Sequence, residues 1–296
     1  MDRTNVQRSG AGHAVAASDA GRLCAGAQLA TARELAEIAP GLAAAGYAGL
    51  ELHPHHLASL GDRVFRARIA DAFAAAGMQV ACAYVGVPAD PPSVSLVRAR
   101  CDMAAALGAG CVFLVPPSRR GASLEQTAAL VREVAVHAGP LGLAVAVHNH
   151  AGTAVTTVDE VVRLLELVDR PEAGLCLDVA HLALFEDDVP GAIEALAPLV
   201  GYVHFKDLEG WAREALAGLD GDSLEGVAPL TPAYTDLGAG ALDLRAAIAA
   251  LAATGEVWTA IEMETLRGGS VLEQSGRNAE AYRALAAAAA VGAARP

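Results

Sequence analysis

The feature that most constrains the fold of this chain is a regular alternation of short apolar runs with longer Ala- and Leu-rich stretches. The apolar runs are rich in β-prone residues and occur at about 23–29, 48–53, 79–86, 110–115, 142–148, 173–178, 200–205 and 257–263. The stretches between them have helical spacing, as in Glu34–Ala45, Phe65–Ala76 and Val158–Val168. Eight strands, most of them followed by a helix, predict a single parallel (β/α)8 barrel formed by residues 21–296.

The predicted helices carry recognisable start and stop signals. Capping boxes occur at three predicted helix starts, Thr31 with Glu34, Ser123 with Gln126 and Thr157 with Glu160. The glycines near predicted helix ends, where a left-handed residue is useful, are Gly46, Gly77, Gly108 and Gly139. The competing fold, a doubly wound open sheet, usually has a phosphate-binding loop after its first strand. The segment "CAGAQLATA" contains neither a GxGxxG nor a Walker pattern, so the barrel is favoured.

The charge of the chain argues against nucleic-acid and membrane partners. Its 21 Lys and Arg residues against 34 Asp and Glu residues give a formal net charge of −13, whereas a nucleic-acid surface needs a basic patch. No apolar run reaches membrane-spanning length without Gly, Pro or a charge. A small molecule is therefore the expected partner, and a homo-oligomer stays open.

The cysteines and the chain ends favour a cytoplasmic protein. The five cysteines, none of them in a CxxC pair, are Cys24, Cys82, Cys101, Cys111 and Cys176. Since four of them lie in or beside apolar runs, we expect small buried hydrophobes in a reducing compartment. Residues 1–20 are small and polar without an apolar signal core, and we interpret them as a disordered leader. The Ala-rich tail after Ala279 carries Glu280 and Arg283 and is expected to be a helix.

Polar side chains gather at the C-terminal ends of five predicted strands, where a (β/α)8 barrel places its chemistry. Strand two ends in Glu51 and His53, strand five in His148 and His150, strand six in Asp178 and His181, strand seven in His204, Lys206 and Asp207, and strand eight in Glu262 and Glu264. Side chains alternate along a strand, so His148 and His150 share one face. Random surface charge would not sort itself in this way, and we expect these side chains to converge on one cavity.

The residue types at the strand ends suit a hard or borderline divalent metal. Carboxylates combined with one or two imidazoles bind Mn²⁺, Mg²⁺, Co²⁺, Fe²⁺ or Zn²⁺, whereas no cysteine lies at a strand end to complete a structural zinc site. Glu262 lies in an apolar strand, where an unpaired carboxylate would be costly, and a shared cation would offset that cost. Taken singly, Asp178 is also typical of a helix cap, and His204 is also typical of a buried histidine whose ring nitrogens are hydrogen-bonded within the core. As a set, the strand ends predict one bound metal ion.

Five motifs extend over most of the predicted barrel: "GYAGLELHP", "VHNHAGT", "LCLDVAH", "YVHFKD" and "LGAGALDLRAAIAALAATGEVWTAIEMET". They resemble the xylose-isomerase-like TIM barrels of the sugar phosphate isomerases and epimerases, and the likeness runs from about residue 23 to 290. The segment "REALAGLDGDSLEGVAPLTPAYTDLGAGALDL" and the motif "HNHAGT" are similar to the same regions of inosose dehydratases and related inositol-catabolism enzymes. The resemblance implies the barrel fold and a carbohydrate or cyclitol substrate.

The resemblance also implies roles for the strand-end residues. It makes Asp178, His204 and Glu262 metal ligands from strands six, seven and eight. His148 stands where many family members have the glutamate of a Glu-Asn-His motif; its imidazole is expected to bind the metal, but one carboxylate base is lost. The implied catalytic residues are Glu262, His181 and Lys206, and the implied substrate contacts are Glu51, His53, His150, His181 and Lys206.

The reaction implied by the resemblance is α-proton chemistry on a keto-sugar or an inosose. A metal that binds the carbonyl oxygen acidifies the α-hydrogen and stabilises the enediolate. Glu262, Glu51 or His150 would accept the proton. Return of the proton to the neighbouring carbon gives isomerisation, and its return to the opposite face of the same carbon gives epimerisation. Expulsion of a β-hydroxyl gives dehydration. Lys206 either stabilises the developing oxyanion or forms an ion pair with Asp207, and both interpretations stay open.

Two other classes of protein remain as alternatives. Apurinic endonucleases use the same barrel with several zinc ions, but they need further histidines from strands two to four and a basic surface. Strands three and four end in "CAYVGVPAD" and "VFLVPPSRR", without histidine, so this class is the least expected. A non-catalytic or accessory subunit of a metal-dependent lyase is supported by the absent strand-five glutamate, and turnover by the purified chain alone would argue against it.

Overall fold

The computed structural model describes residues 22–293 of the chain, so the leader predicted for residues 1–20 lies outside the described residues. The strands are Leu23–Gly26 (β1), Gly49–Leu52 (β2), Gln79–Gly86 (β3), Cys111–Leu114 (β4), Ala144–His148 (β5), Ala173–Asp178 (β6), Val200–Phe205 (β7), Asp207–Leu208 (β8), Tyr234–Thr235 (β9) and Thr259–Glu262 (β10). Eight of them close a barrel in the order β1-β10-β7-β6-β5-β4-β3-β2. All barrel pairs are parallel, whereas β8 and β9 form a separate antiparallel pair, and the predicted (β/α)8 fold is confirmed.

Periodicity predicts the positions of the strands closely. Strands β3, β6 and β7 begin and end at the predicted residues, and the other five barrel strands are shorter than the apolar runs that contain them. The run at 142–148 shows one physical reason. Gly142 has φ 76° and Leu143 donates its backbone N–H back to the preceding helix, so the ladder of β5 begins only at Ala144.

The barrel is surrounded by helices, three of which begin at the predicted capping boxes. The helices are Ala32–Ala44 (α1), Pro54–Ser59 (α2), Arg63–Ala75 (α3), Pro91–Ala106 (α4), Leu124–Ala138 (α5), Val158–Val168 (α6), Val179–Ala183 (α7), Val189–Leu196 (α8), Ala212–Leu216 (α9), Leu224–Val227 (α10), Leu244–Leu251 (α11) and Val271–Ala293 (α12). All three predicted capping boxes form, at α1, α5 and α6. Within residues 22–293, no helix combines the length and the apolarity needed to cross a bilayer.

One of the four predicted helix-end glycines does not have the expected conformation. Gly46, Gly77 and Gly108 have φ of 96°, 71° and 79°, as a left-handed residue after a helix requires. Gly139 is right-handed, with φ −54°, because α5 continues into a 3₁₀ turn, and Gly142 takes the left-handed position instead.

The floor of the barrel is packed with small and sulfur-containing side chains. A core cluster separate from the one between the strands and helices contains Cys24, Cys82, Cys111, Cys176 and Tyr202. All five cysteines of the chain are buried and free, as predicted. Because side chains alternate along a strand, the inward residue two positions after a floor residue lies one layer nearer the mouth. Asp178 stands above Cys176 in this way, and His204 above Tyr202.

The chain between β7 and α11 folds over one side of the barrel mouth. It contains β8, β9, α9 and α10 and buries a small apolar cluster that includes Leu208, Val227 and Tyr234. The Leu224 N–H donates to Ser118 Oγ at 3.1 Å, which joins this segment to the loop after β4. One side of the mouth therefore has a cover that is fixed to the rim of the barrel.

Candidate active site

Donor atoms from four neighbouring strands meet at the C-terminal end of the barrel. One nitrogen or carboxylate oxygen of each of four buried residues lies within 4.8 Å of the other three, and we call these residues the donor set: His148, Asp178, His204 and Glu262. His148 Nε2 is 3.0 Å from His204 Nδ1, and His204 Nδ1 is 3.4 Å from Glu262 Oε2. The barrel register aligns Asp178 with His204 on the adjacent strands β6 and β7. The fold thus brings four residues that are far apart in the sequence into one cluster.

The ring of His204 is oriented by a buried carboxylate. Its Nε2 lies 2.8 Å from Glu51 Oε2, and the other oxygen of Glu51 is 3.0 Å from His53 Nε2. An ionised carboxylate only accepts hydrogen bonds, so His204 Nε2 carries a proton and Nδ1 faces the donor set. Burial favours the neutral acid, but His204 and His53 outweigh it and lower the pKa of Glu51 to about 2. Glu51 is fully buried behind His204 and is not among the residues that line the cavity.

Asp178 both caps a helix and faces the donor set. Its Oδ1 accepts the His181 N–H at 2.7 Å at the start of α7, so the helix-cap interpretation of this residue is also correct. Its Oδ2 is buried, accepts no hydrogen bond and lies 3.1 Å from the ammonium of Lys206. The side-chain amide of Asn149 bonds to both the N–H and the C=O of Asp178, which fixes the end of β6 against β5.

The two histidines at the end of β5 have different surroundings. His148 contributes Nε2 to the donor set, and its Nδ1 is buried without a hydrogen-bond partner. His150 lies one step farther out, and its ring packs against that of His181 at a centroid distance of 3.9 Å and an interplanar angle of 36°. Its Nδ1 is 2.6 Å from the Ala151 carbonyl oxygen and must donate, whereas the Ala151 N–H donates to His181 Nδ1 at 3.3 Å. The backbone of Ala151 therefore sets opposite tautomers in the two rings.

Both of these outer histidines are neutral. Burial, followed by the proximity of His148, lowers the pKa of His150 to about 3. Burial and the adjacent His150 lower the pKa of His181 well below its ordinary value. With the tautomers set by Ala151, His150 offers a lone pair on Nε2 and His181 offers an Nε2–H, so one hydrogen-bond acceptor and one donor stand side by side.

The single lysine of the chain is buried in this site. Lys206 Nζ lies 2.6 Å from Glu262 Oε2, 3.1 Å from Asp178 Oδ2 and 3.0 Å from Glu264 Oε1. Burial opposes its charge, but these carboxylates, with Asp178 foremost, raise the pKa of Lys206 well above its ordinary value. The same contact, with Lys206 ahead of His204, lowers the pKa of Glu262 against the effect of burial. Lys206 is therefore a fixed ammonium and not a free amine.

Asp207 does not form the ion pair with Lys206 that the sequence left open. Its two carboxylate oxygens accept the backbone N–H groups of Leu208, Gly238, Gly240 and Leu242 at 2.8 to 3.2 Å. A Cβ on Gly240 would lie 2.3 Å from Asp207 Oδ1, so only glycine allows this close approach. The aspartate of the His-x-Lys-Asp motif therefore anchors the loop that follows β9.

A cavity of about 260 Å³ opens above the donor set. The predicted site residues that line it are His53, His148, His150, His181, Lys206, Glu262 and Glu264. Charged groups form one wall and the outer histidines another. Tyr84 and Phe113 are stacked at 4.8 Å with an interplanar angle of 11°, and they form an apolar third wall. The arrangement suits a ring with polar edges and an apolar face.

Sequence reasoning missed five residues of the cavity, Gln28, Tyr84, Phe113, Val115 and Leu224. Four of them lie in or directly after β1, β3 and β4, so strand parity was an available signal. Aromatic and aliphatic side chains at such positions cannot be distinguished from ordinary core. Leu224 comes from the segment that covers the mouth, and no local pattern indicates where such a segment packs.

The donor set fits a divalent metal ion. Ligand atoms about 2.1 Å from one ion are separated from each other by about 3.0 Å at right angles and about 3.4 Å at tetrahedral angles. Three of the observed separations between donor atoms, 3.0, 3.4 and 3.5 Å, match these values, and a fourth, between His204 Nδ1 and Asp178 Oδ2, is longer at 3.8 Å. The ring nitrogens of His148 and His204, which face each other at 3.0 Å, also need a proton or a shared cation between them. Burial alone would lower the pKa of His204, but Cys176, Glu51 and Glu262 outweigh burial and raise this pKa well above its ordinary value. A proton and a metal ion would therefore compete for the His204 ring.

Comparisons with known proteins agree with this picture of the fold. A family model described as "Xylose isomerase-like TIM barrel" matches residues 41–289. The chain is 32% identical over 128 residues to an inosose dehydratase of Lactiplantibacillus plantarum, a match that covers 43% of this chain and 42% of that protein. The chain thus spans less than half the length of the curated relatives it matches first.

Two solved structures show the same fold at low sequence identity. A structure of L-ribulose 3-epimerase has a TM-score of 0.71 and 16% identity, with 94% of this chain and all of the other covered (100%). A structure of the IOLI protein with a bound zinc atom has a TM-score of 0.66 and 17% identity, with 92% of this chain and 97% of the other covered.

Proposed function

Because the chain belongs to the xylose isomerase-like TIM barrel family, we propose that it is a divalent-metal-dependent enzyme that removes the α-proton of a keto-sugar or an inosose. The observation that carries this proposal is the donor set, in which four buried donor atoms from four strands lie within 4.8 Å of one another beneath a cavity. Neither a core histidine nor a helix cap requires two imidazoles and two carboxylates to meet in this way.

His148, Asp178, His204 and Glu262 would hold the ion, and Glu51 would keep His204 in the correct tautomer from behind. The bound ion would supply Lewis acidity to a substrate carbonyl and stabilise negative charge on its oxygens. Imidazole nitrogens make up half of this donor set. They favour Zn²⁺, Co²⁺, Fe²⁺ or Mn²⁺ over Mg²⁺, which prefers oxygen ligands.

The remaining site residues supply the proton chemistry. Without the ion, the Lys206 ammonium offsets the burial of Glu262 and keeps its carboxylate ionised and able to accept a proton; the ammonium also lies at the cavity, where negative charge would develop on a substrate. The neutral His150 presents a second acceptor, and the His181 Nε2–H presents a donor to a substrate oxygen. Stacked Tyr84 and Phe113 give the carbon face of the ring an apolar surface.

Dehydration is the second candidate outcome, and the identity of residue 148 favours it. Epimerisation by two carboxylates needs a second glutamate on the opposite side of the substrate, and this position holds His148. Elimination needs one base and a proton for the leaving hydroxyl: Glu262 would take the α-proton and return it to the departing hydroxyl as water, while the neutral His181 Nε2–H donates a hydrogen bond to that oxygen. The similarity to a protein named inosose dehydratase supports the same outcome.

The test is to incubate the purified chain, loaded with Mn²⁺, Co²⁺ or Zn²⁺, with ketohexoses and inososes in D₂O. Deuterium at the carbon next to the carbonyl, seen by NMR, indicates α-proton removal. A product of unchanged mass apart from deuterium indicates isomerisation or epimerisation, and a product lighter by one water indicates dehydration. Glu262→Gln should abolish exchange, whereas the remote His137→Ala should behave like the unmodified chain. Metal binding without deuterium exchange on any of these substrates would count against the proposal and for an accessory role.

A further inference from the structure

The chain has one lysine, and its ammonium contacts the same carboxylate oxygens that the donor set offers to a metal. Lys206 Nζ lies 2.6 Å from Glu262 Oε2 and 3.1 Å from Asp178 Oδ2. Those two oxygens are also the ones nearest to His204 Nδ1, at 3.4 and 3.8 Å. Lys206 is only 1% exposed, so water does not screen its charge from this cluster.

A third carboxylate gives the ammonium a position outside the donor set. Glu264 Oε1 lies 3.0 Å from Lys206 Nζ, and Glu264 Oε2 accepts a hydrogen bond from Gln28 Nε2 at 3.1 Å. Gln28 is itself held by the Met263 carbonyl oxygen, so the Glu264 carboxylate is fixed between β1 and the end of β10. The ring of Tyr234 lies 4.4 Å from Nζ and adds a cation–π contact.

We propose that Lys206 is a built-in competitor of the metal ion and that Glu264 is the positioning residue that relieves this competition. Without the ion, the ammonium neutralises Asp178 and Glu262. When the ion binds to these oxygens, the ammonium keeps Glu264 and Tyr234 as partners and gives up the donor set. This inference rests on the proposed function, because it takes the donor set to be the metal site. It also specifies the effect of each residue: Lys206 weakens metal binding, and Glu264 restores part of it.

The charges of the cluster explain why such a device is useful. Glu51, Asp178, Glu262 and Glu264 set four carboxylates around one ammonium in a largely buried site, so negative charge is in excess even when His204 is protonated. A resident ammonium stabilises the metal-free fold and excludes ions that bind too weakly to displace it. A divalent ion with nitrogen affinity gains His148 and His204 as well, whereas the ammonium gains neither nitrogen as a strong partner.

The experiment is a double-mutant cycle on metal affinity, measured by isothermal titration calorimetry with Zn²⁺ and with Mn²⁺. We expect Lys206→Met to bind either ion at least about tenfold more tightly, because a like charge has been removed from the site. Glu264→Gln should bind more weakly, and its effect should become much smaller when Lys206 is already Met. Arg213→Met, which removes a surface charge paired with Asp187, is the charge-matched control and should leave the affinity unchanged.

A measurement on the unmodified chain guards against a variant that fails to fold. Because Lys206 is the only lysine, labelling with ε-¹⁵N lysine gives one side-chain ammonium signal without assignment. Saturation with Zn²⁺ should shift this signal. If the unmodified chain binds metal while Lys206→Met binds no more tightly, or if the signal does not move, the competition is wrong and the metal site stands. If neither the unmodified chain nor the Lys206 variant binds metal, the proposed function and this inference both fail.

Discussion

Replacing Glu51 by Gln should destabilise the protein in a manner that depends on pH. The Glu51 carboxylate is fully buried and accepts from His204 and His53. Against the effect of burial, chiefly His204 lowers its pKa from 4.5 to about 2. The difference between these two values corresponds to about 3 kcal/mol in favour of the ionised form in the folded state. Glutamine keeps the shape of the side chain and one acceptor but has no charge.

A lowered pKa fixes the direction of the pH effect. The unfolded chain takes up a proton at Glu51 near pH 4.5, whereas the folded chain resists protonation down to about pH 2. The stabilisation is therefore complete above pH 4.5 and is lost as the pH falls through this interval. We expect Glu51→Gln to lower the free energy of unfolding by up to about 3 kcal/mol at pH 7 and by much less near pH 2.

The assay is urea denaturation of both proteins with a chelator present, at several values between pH 7 and the lowest pH at which both still fold. Other carboxylates titrate in both proteins, so the difference between the two curves reports on Glu51. A difference that stays the same at pH 7 and at pH 3 would refute an electrostatic role and leave only packing. The same substitution should weaken metal binding by about 10- to 100-fold, since it removes the orienting partner of a ligand histidine.

Two further predictions concern the metal ligands and are checked by metal content and metal titration. Asp178→Ala and His204→Ala should each lose bound metal. The control His137→Ala should retain it, because His137 lies in the last turn of α5 and pairs with Asp102 of α4. Equal metal content in all three variants would contradict the assignment. His148→Glu should keep metal bound and shift preference toward Mn²⁺ or Mg²⁺ over Zn²⁺, and His148→Ala should weaken binding. His150→Ala should mainly impair turnover or substrate binding, and loss of metal in this variant with retention in His148→Ala would reverse the two roles.

The fold was predictable because its signals are local and repeated. Eight apolar runs with helices between them permit few arrangements, and the capping boxes at Thr31, Ser123 and Thr157 fixed three helix starts. The family resemblance drawn from the strand-end motifs is likewise confirmed. Gly139 shows the limit of such signals: a glycine after a helix is compatible with both a left-handed cap and a continued 3₁₀ turn, and only the path of the next residues decides between them.

The site was predictable in part because barrel topology converts sequence order into spatial neighbourhood. Strand parity placed His148, Asp178, His204 and Glu262 toward one axis, and the family resemblance singled these four out as metal ligands. The partner of Lys206 was a different matter. Adjacent positions suggested Asp207, but adjacent residues of a strand face opposite ways, and the actual partners come from other strands.

The contrast between the floor and the mouth of the barrel supports a functional origin for the charges. At the floor, the inward residues are cysteines, alanines and Tyr202, which pack without ionised groups. Two residues farther along the same strands, β6 and β7 place Asp178 and His204 in an equally buried layer. Uncharged side chains therefore fill the buried layer at the floor, whereas charged or ionisable side chains occupy the equally buried layer near the mouth on the same two strands. Buried charge that packing does not explain is typical of a functional site, and the fully buried Asp178 and His204 are the clearest examples.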